Sequence, residues 1–193
     1  MVRSLLLLVV GVASTVDVCP GSKSSTHSKT ILETTFPKNS CAEVKQEMKS
    51  RVLIDPSFRI TGDEDGDPLN MQGERMTFSV DRGDDKFGFY YKETNIDYAA
   101  KSKAHPRGCV LTGCGEKQTR SYDDSSTNYC GMRNLYCGSK KLCEYLHHDM
   151  EFKEKIETSL HSSTDLAACG TGGAAMTFSK SYLTKPSEYY DQA

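Results

Sequence analysis

Hydrophobic positions recur at helical spacing in two stretches of this chain and at strand spacing in two others. Cys41, Val44, Met48 and Val52 follow one another at intervals of three or four residues, which predicts a helix. Ser40 and Glu43 before them fit a capping box, in which the serine oxygen accepts from the third helical N–H and the glutamate reaches back. Asp55-Pro56 ends the run. Leu142, Cys143, Leu146, Met150, Ile156 and Leu160 fall on one face of a longer helix, predicted from about Ser139 to His161. A short helical piece at Thr164 to Ala168 ends at Gly170, where glycine suits a left-handed cap.

Strand-like runs lie between these helices. Met76 to Val80 and Lys86 to Lys92 are aromatic and β-branched, and Asp81-Arg82-Gly83-Asp84-Asp85 joins them as the turn of a hairpin. Alternation puts Phe87, Phe89 and Tyr91 on one face, with Tyr90 on the other beside Tyr98 as a contact surface. Phe58-Arg59-Ile60-Thr61 reads as a short strand. The remainder reads as irregular: a Ser/Thr/Lys-rich loop over residues 19–40, an acidic loop from Gly62 to Asn70, tight turns around Cys109 and Cys114, and a polar loop from Tyr122 to Tyr129. The expected class is α+β: a small disulfide-rich single domain with a hairpin and two main helices.

Eight cysteines change this picture most. Arg3, the apolar run Leu5 to Val12 and the small residues Ala13 and Ser14 have the form of a signal peptide. Cys19, Cys41, Cys109, Cys114, Cys130, Cys137, Cys143 and Cys169 all lie beyond it. An even number of cysteines in an exported chain reads as a disulfide framework, with 105 pairings open. The expected organisation is a signal peptide at 1–14, an irregular segment at 15–40 (tied by Cys19 to Cys41 or elsewhere), a crosslinked domain at 41–178 and a flexible tail at 179–193. Leu, Ile, Val and Phe make up only about 16% of residues 15–193, below the rough 20% of well-packed chains. Crosslinks, tyrosines and methionines must supply what aliphatic burial does not.

Charge and hydropathy then narrow the function. A formal net charge of −2 lacks the basic stripe that a nucleic-acid binder needs. No later segment is apolar enough to span a bilayer. The chain is expected to be secreted and extracellular, with no nucleic-acid partner, no membrane span and no required cofactor.

Three constellations carry candidate chemistry. Arg82-Gly83-Asp84 at the predicted hairpin tip resembles the recognition tripeptide of integrin-binding extracellular proteins. That resemblance implies a guanidinium met by acidic groups of the receptor and a carboxylate on a receptor-held divalent metal. Asp, Gly and Arg are equally the residues of a plain turn. Cys143 followed by His147-His148-Asp149, with Tyr136-Cys137-Gly138 upstream, resembles secreted phospholipases A2. The resemblance implies His148 as general base and Asp149 as ligand of a catalytic Ca²⁺. The pattern departs from that family in having no cysteine pair three and four residues before the histidine, and Ser139, Lys140 and Lys141 stand where a glycine-rich calcium loop belongs. Asp63-Glu64-Asp65-Gly66-Asp67 with Glu74 mimics EF-hand ligand spacing, but Pro68 occupies the position of the required glycine. That leaves weak extracellular Ca²⁺ binding or a solvated acidic turn. The reading that these features support is a secreted binding protein for an extracellular protein or cell-surface receptor, using the Arg82-Gly83-Asp84 loop. The alternative is a Ca²⁺-dependent lipid hydrolase.

Overall fold

The computed structural model describes residues 18–64, 76–94, 108–141, 143 and 146–170. They form an α+β arrangement dominated by its sheet. Six strands, β1 (Lys29–Phe36), β2 (Phe58–Glu64), β3 (Met76–Arg82), β4 (Asp85–Thr94), β5 (Gly108–Lys117) and β6 (Lys153–Leu160), lie in the order β2-β3-β4-β5-β1-β6. Every neighbouring pair is antiparallel. Two helices, α1 (Cys41–Ile54) and α2 (Thr127–Arg133), cover one face. No helix among the described residues is long and apolar enough to cross a membrane.

The first helix forms as its sequence signals. Glu43 N–H donates to Ser40 Oγ at 3.3 Å and Ser40 N–H to Glu43 Oε2 at 2.7 Å, completing the capping box. Val44, Met48 and Val52 are buried against the sheet. The β3–β4 hairpin also forms, with Phe87, Phe89 and Tyr91 buried and Tyr90 on the opposite face at the sheet's rim of exposure. β2 runs on to Glu64, past the expected start of the acidic loop.

Three expectations are corrected. Residues 29–36 of the supposedly irregular N-terminal segment are β1, an internal strand with Thr30, Leu32, Thr34 and Phe36 facing the core. Threonine carries half of that alternation, so a search for apolar residues misses it. Cys109 and Cys114 lie within the continuous strand β5 instead of at tight turns. Gly113 and Gly115 sit on its core face beneath Met132, Phe87 and Asn128, leaving the space that α2 occupies. The long helix from Ser139 to His161 does not exist. A 3-10 turn at Ser139–Lys141 and an irregular segment lead into β6, while a second 3-10 turn spans Leu166–Gly170. In β6 the inward Glu154 receives Tyr129 Oη at 2.6 Å, Tyr136 Oη at 2.5 Å and Arg133 Nη1 at 3.1 Å, fastening the edge strand to α2 and the turn after it. Burial, then the hydrogen bond to Glu154 and its charge, push the Tyr129 hydroxyl up to about 12. Tyr98 and the tail from residue 179 lie outside the described residues.

All eight cysteines pair, as Cys19–Cys114, Cys41–Cys109, Cys130–Cys169 and Cys137–Cys143. The suggested Cys19–Cys41 link is therefore not made. Cys41–Cys109 joins the start of α1 to the core face of β5. Cys19–Cys114 straps residues 18–28 across the opposite face, where Glu116 accepts from Gly21 N–H at 2.7 Å and pairs with Lys29 at 3.2 Å. The bridges that span 95, 68 and 39 residues each close a long loop of the unfolded chain, and bridges of that kind are worth roughly 2–4 kcal/mol apiece.

One contact discriminates packing from propensity. A Cβ at Gly131 in α2 would lie 2.5 Å from Phe87 Cζ. Helix propensity alone would make Gly131→Ala stabilising by about 1 kcal/mol, whereas overpacking predicts a net loss of about 1–3 kcal/mol. The urea midpoint of the oxidised protein should fall, and a rise would show that α2 is free to move off Phe87.

Candidate functional site

The end of the sheet at the β3–β4 turn brings together the features that the rest of the fold does not need. Arg82 and Asp85 are paired across the hairpin, so Gly83 and Asp84 alone make the turn. Gly83 has φ +57°, as the first central residue of a type II′ turn requires, and glycine adopts this without strain. Gly83 and Asp84 are exposed. The tip is held from two sides: the Asp84 carbonyl accepts from Gln118 N–H at 2.7 Å, and the Arg82 guanidinium lies 5.1 Å from the centre of the Phe58 ring. Of the tripeptide's two charges, Asp84 is therefore the one presented outward, while Arg82 lies along β2.

Behind the tip is a cavity of about 550 Å³, walled by Arg82, Gly83 and Asp85 on the hairpin, Ser57 before β2, Ser125 to Thr127 at the start of α2, and the Cys130–Cys169 bridge. Its wall is unusual in three respects. Asp85 is 8% exposed, and burial raises its carboxyl above the ordinary value, against the opposing pull of Lys117, whose Nζ is 3.4 Å away. Ser125 and Ser126 have φ +48° and +71°, a conformation that costs non-glycine residues of order 1–3 kcal/mol each. Thr127 Oγ1 is buried without a hydrogen-bond partner. Two aspartates hold the serines in place: Asp123 Oδ1 accepts from Ser125 N–H at 3.0 Å, while Asp124 Oδ1 accepts from Ser126 N–H at 3.1 Å and its Oδ2 from Asn128 N–H at 3.2 Å and Ser162 Oγ at 2.9 Å.

His147, His148 and Asp149 lie elsewhere, on the irregular segment before β6. The segment's backbone is organised by Glu47 of α1, whose carboxylate accepts from Leu146, His147 and His148 N–H at 2.7, 2.7 and 3.0 Å. Such a row of N–H groups is an anion-binding nest, here filled by the protein's own side chain. Arg51 Nε also donates to Glu47 at 2.8 Å, and its two other nitrogens donate to the carbonyls of Asn134 and Cys137. Burial alone would raise Glu47, but Arg51 and the three N–H groups outweigh it and hold the carboxyl below its ordinary value. Asp149 is engaged by Ser139 N–H and hydroxyl, and His148 Nε2 lies 3.1 Å from Gln46 Oε1. These partners occupy the groups to which the hydrolase resemblance gave catalytic and calcium-binding roles.

Of the acidic run that begins at the end of β2, Asp63 is paired with Lys45 at 2.7 Å and Lys49 at 2.5 Å, while Asp65, Asp67 and Glu74 lie outside the described residues. Cys19, Cys114 and Glu116 form a cluster of metal-ligand types, yet both sulfurs belong to one disulfide and the carboxylate is paired with Lys29. Sequence reasoning found the tip but not its cavity. Ser125-Ser126 gave no signal, because serines are ordinary in loops and nothing in their own side chains marks the left-handed backbone. Comparison with known protein families, with curated proteins and with solved structures finds no match to this chain.

Two carboxyls generate opposite pH behaviour. Glu47 is depressed when folded, so its stabilisation is present above its ordinary value of 4.5 and is lost as pH falls through the lower folded value. Glu47→Gln breaks a buried pair and should cost about 3–5 kcal/mol at neutral pH, with a shallower acid decline in urea-unfolding free energy than wild type. Asp85 is raised when folded, so its cost appears as pH climbs from its ordinary value of 3.8 through the folded one. Asp85→Asn should raise the thermal midpoint at pH 7, with a gain that shrinks near pH 4. A lowered midpoint at pH 7 would show that the Lys117 pair outweighs burial.

Proposed function

We propose that this is an extracellular binding protein whose recognition surface is the β3–β4 tip together with the cavity behind it. The observation that carries the reading is the presentation of Gly83-Asp84 on a two-residue turn, exposed and braced by Gln118 and by the Arg82–Phe58 stack. A turn held this way offers a partner one geometry, so little conformational entropy is lost on docking. Four disulfides suit the oxidising conditions outside the cell. The partner is another extracellular protein or a cell-surface receptor. The specific form that the tripeptide suggests is an integrin-type receptor, with the Asp84 carboxylate completing the coordination of a receptor-held divalent cation.

Cell attachment to a surface coated with the oxidised protein tests this form. Attachment should require divalent cations and be abolished by Asp84→Glu, which keeps the charge but displaces it by one methylene, with an unchanged thermal midpoint. Attachment that survives Asp84→Glu, or no attachment to wild type, would overturn the receptor assignment.

A further inference from the structure

The cavity behind the tip also has a chemistry of its own. Arg82 makes no hydrogen bond or ion pair among the described residues; its guanidinium is held only by the face of Phe58, at 5.1 Å. A guanidinium stacked in this way keeps its planar fork of donors free and pre-oriented. Thr127 adds a buried hydroxyl with no partner in the same wall. The other wall charge, Asp85, has Lys117 Nζ 3.4 Å from its Oδ1 and also feels the Arg82 charge, though Oδ1 accepts no hydrogen bond. The cavity therefore presents a guanidinium whose donors make no hydrogen bond and a hydroxyl without a partner, in a volume of about 550 Å³ that lies within the range of small-ligand sites.

We propose that this cavity binds a carboxylate, gripped by the Arg82 guanidinium with Thr127 as an accessory donor. A carboxylate matches the planar fork with two parallel hydrogen bonds. It also carries a single charge, which suits a wall whose one guanidinium lies near Asp85. A phosphate dianion would set a second negative charge beside that aspartate, on which Lys117 and Arg82 already act. The carboxylate comes either from an acidic side chain or from a free chain end. The assignment rests on the end of the sheet being the recognition surface, and it adds the class of group that enters behind the tip.

The test is a ¹H–¹⁵N NMR titration of the full oxidised protein with three probes. These are a glutamate blocked at both ends so that only its side chain is charged, N-acetylglycine as a chain end, and inorganic phosphate. Saturable shifts at the Gly83, Ser126 and Thr127 amides with either carboxylate are expected, and the tighter of the two identifies the source. Arg82→Gln should weaken binding about tenfold or more, the worth of a charge-assisted hydrogen bond. Arg82→Lys should not restore it, because the fork is lost. Thr127→Val, which preserves shape, should weaken it by a smaller factor and carries the test should Arg82→Gln fail to fold. No saturable shift with either carboxylate, binding of phosphate alone, or wild-type affinity in Arg82→Gln would each overturn the proposal. The titration reads the cavity without a partner, so its failure leaves cell attachment by the tip standing, and loss of attachment leaves the cavity standing.

Discussion

The buried pair between Glu47 and Arg51 organises more of this molecule than any apolar contact does. Both side chains sit on α1, one turn apart, and between them they take up the backbone N–H groups of residues 146–148 and the carbonyls of Asn134 and Cys137. A chain poor in aliphatic residues has little else with which to fix an irregular segment. Desolvating two charges is costly, and the cost is met only where hydrogen bonds satisfy the remaining lone pairs and protons. Here that condition explains the local structure: Asn134, Cys137 and residues 146–148 lie against the pair because their backbone groups complete its hydrogen bonding. The Cys137–Cys143 bridge closes the same loop, a covalent constraint on a path already set by charge.

From that anchor the rest of the frame follows. The path around Glu47 delivers the chain to β6, and Glu154 on β6 receives three donors from α2 and its following turn. α2 in turn lies on Phe87 because Gly131 permits it, and Phe87 belongs to the strand that leaves the hairpin tip. The tip is thus fixed from below by packing and from the side by Gln118. Rigidity at Gly83-Asp84 is a property of the whole sheet end, not of the turn alone.

How much of this was legible in the chain depended on whether apolar residues carried the pattern. The capping box of α1 and the aromatic alternation of β4 were readable because local chemistry and tertiary role agree there. β1 was not readable, since Thr30 and Thr34 fill half of its core positions. β6 was misread as helix because Met150, Ile156 and Leu160 recur at helical spacing, while the groups that decide the matter are a glutamate 99 residues or more away in sequence and the edge of β1. The Arg82-Gly83-Asp84 tip could be found as a turn. Its cavity could not, because Ser125, Ser126 and Thr127 are held there by hydrogen bonds to Asp123 and Asp124.

Where a fold gives up stability is informative about what it is for. Three inward-facing carboxylates elsewhere are answered: Glu47 by four donors, Glu116 by Lys29 and His27, Glu154 by two tyrosines and an arginine. At the cavity the opposite holds. A buried carboxyl is raised by desolvation, two successive serines are held left-handed, a threonine hydroxyl is unpaired and an arginine guanidinium rests on a ring without a hydrogen bond. Each could be relieved by one substitution: asparagine at 85, glycine at 125 or 126, valine at 127. Buried oxygens without a hydrogen-bond partner also occur at Thr94 and Asn128, so what sets this wall apart is that groups of different kinds meet around one cavity. Groups of complementary kind gathered around one cavity are what the proposed carboxylate site would use.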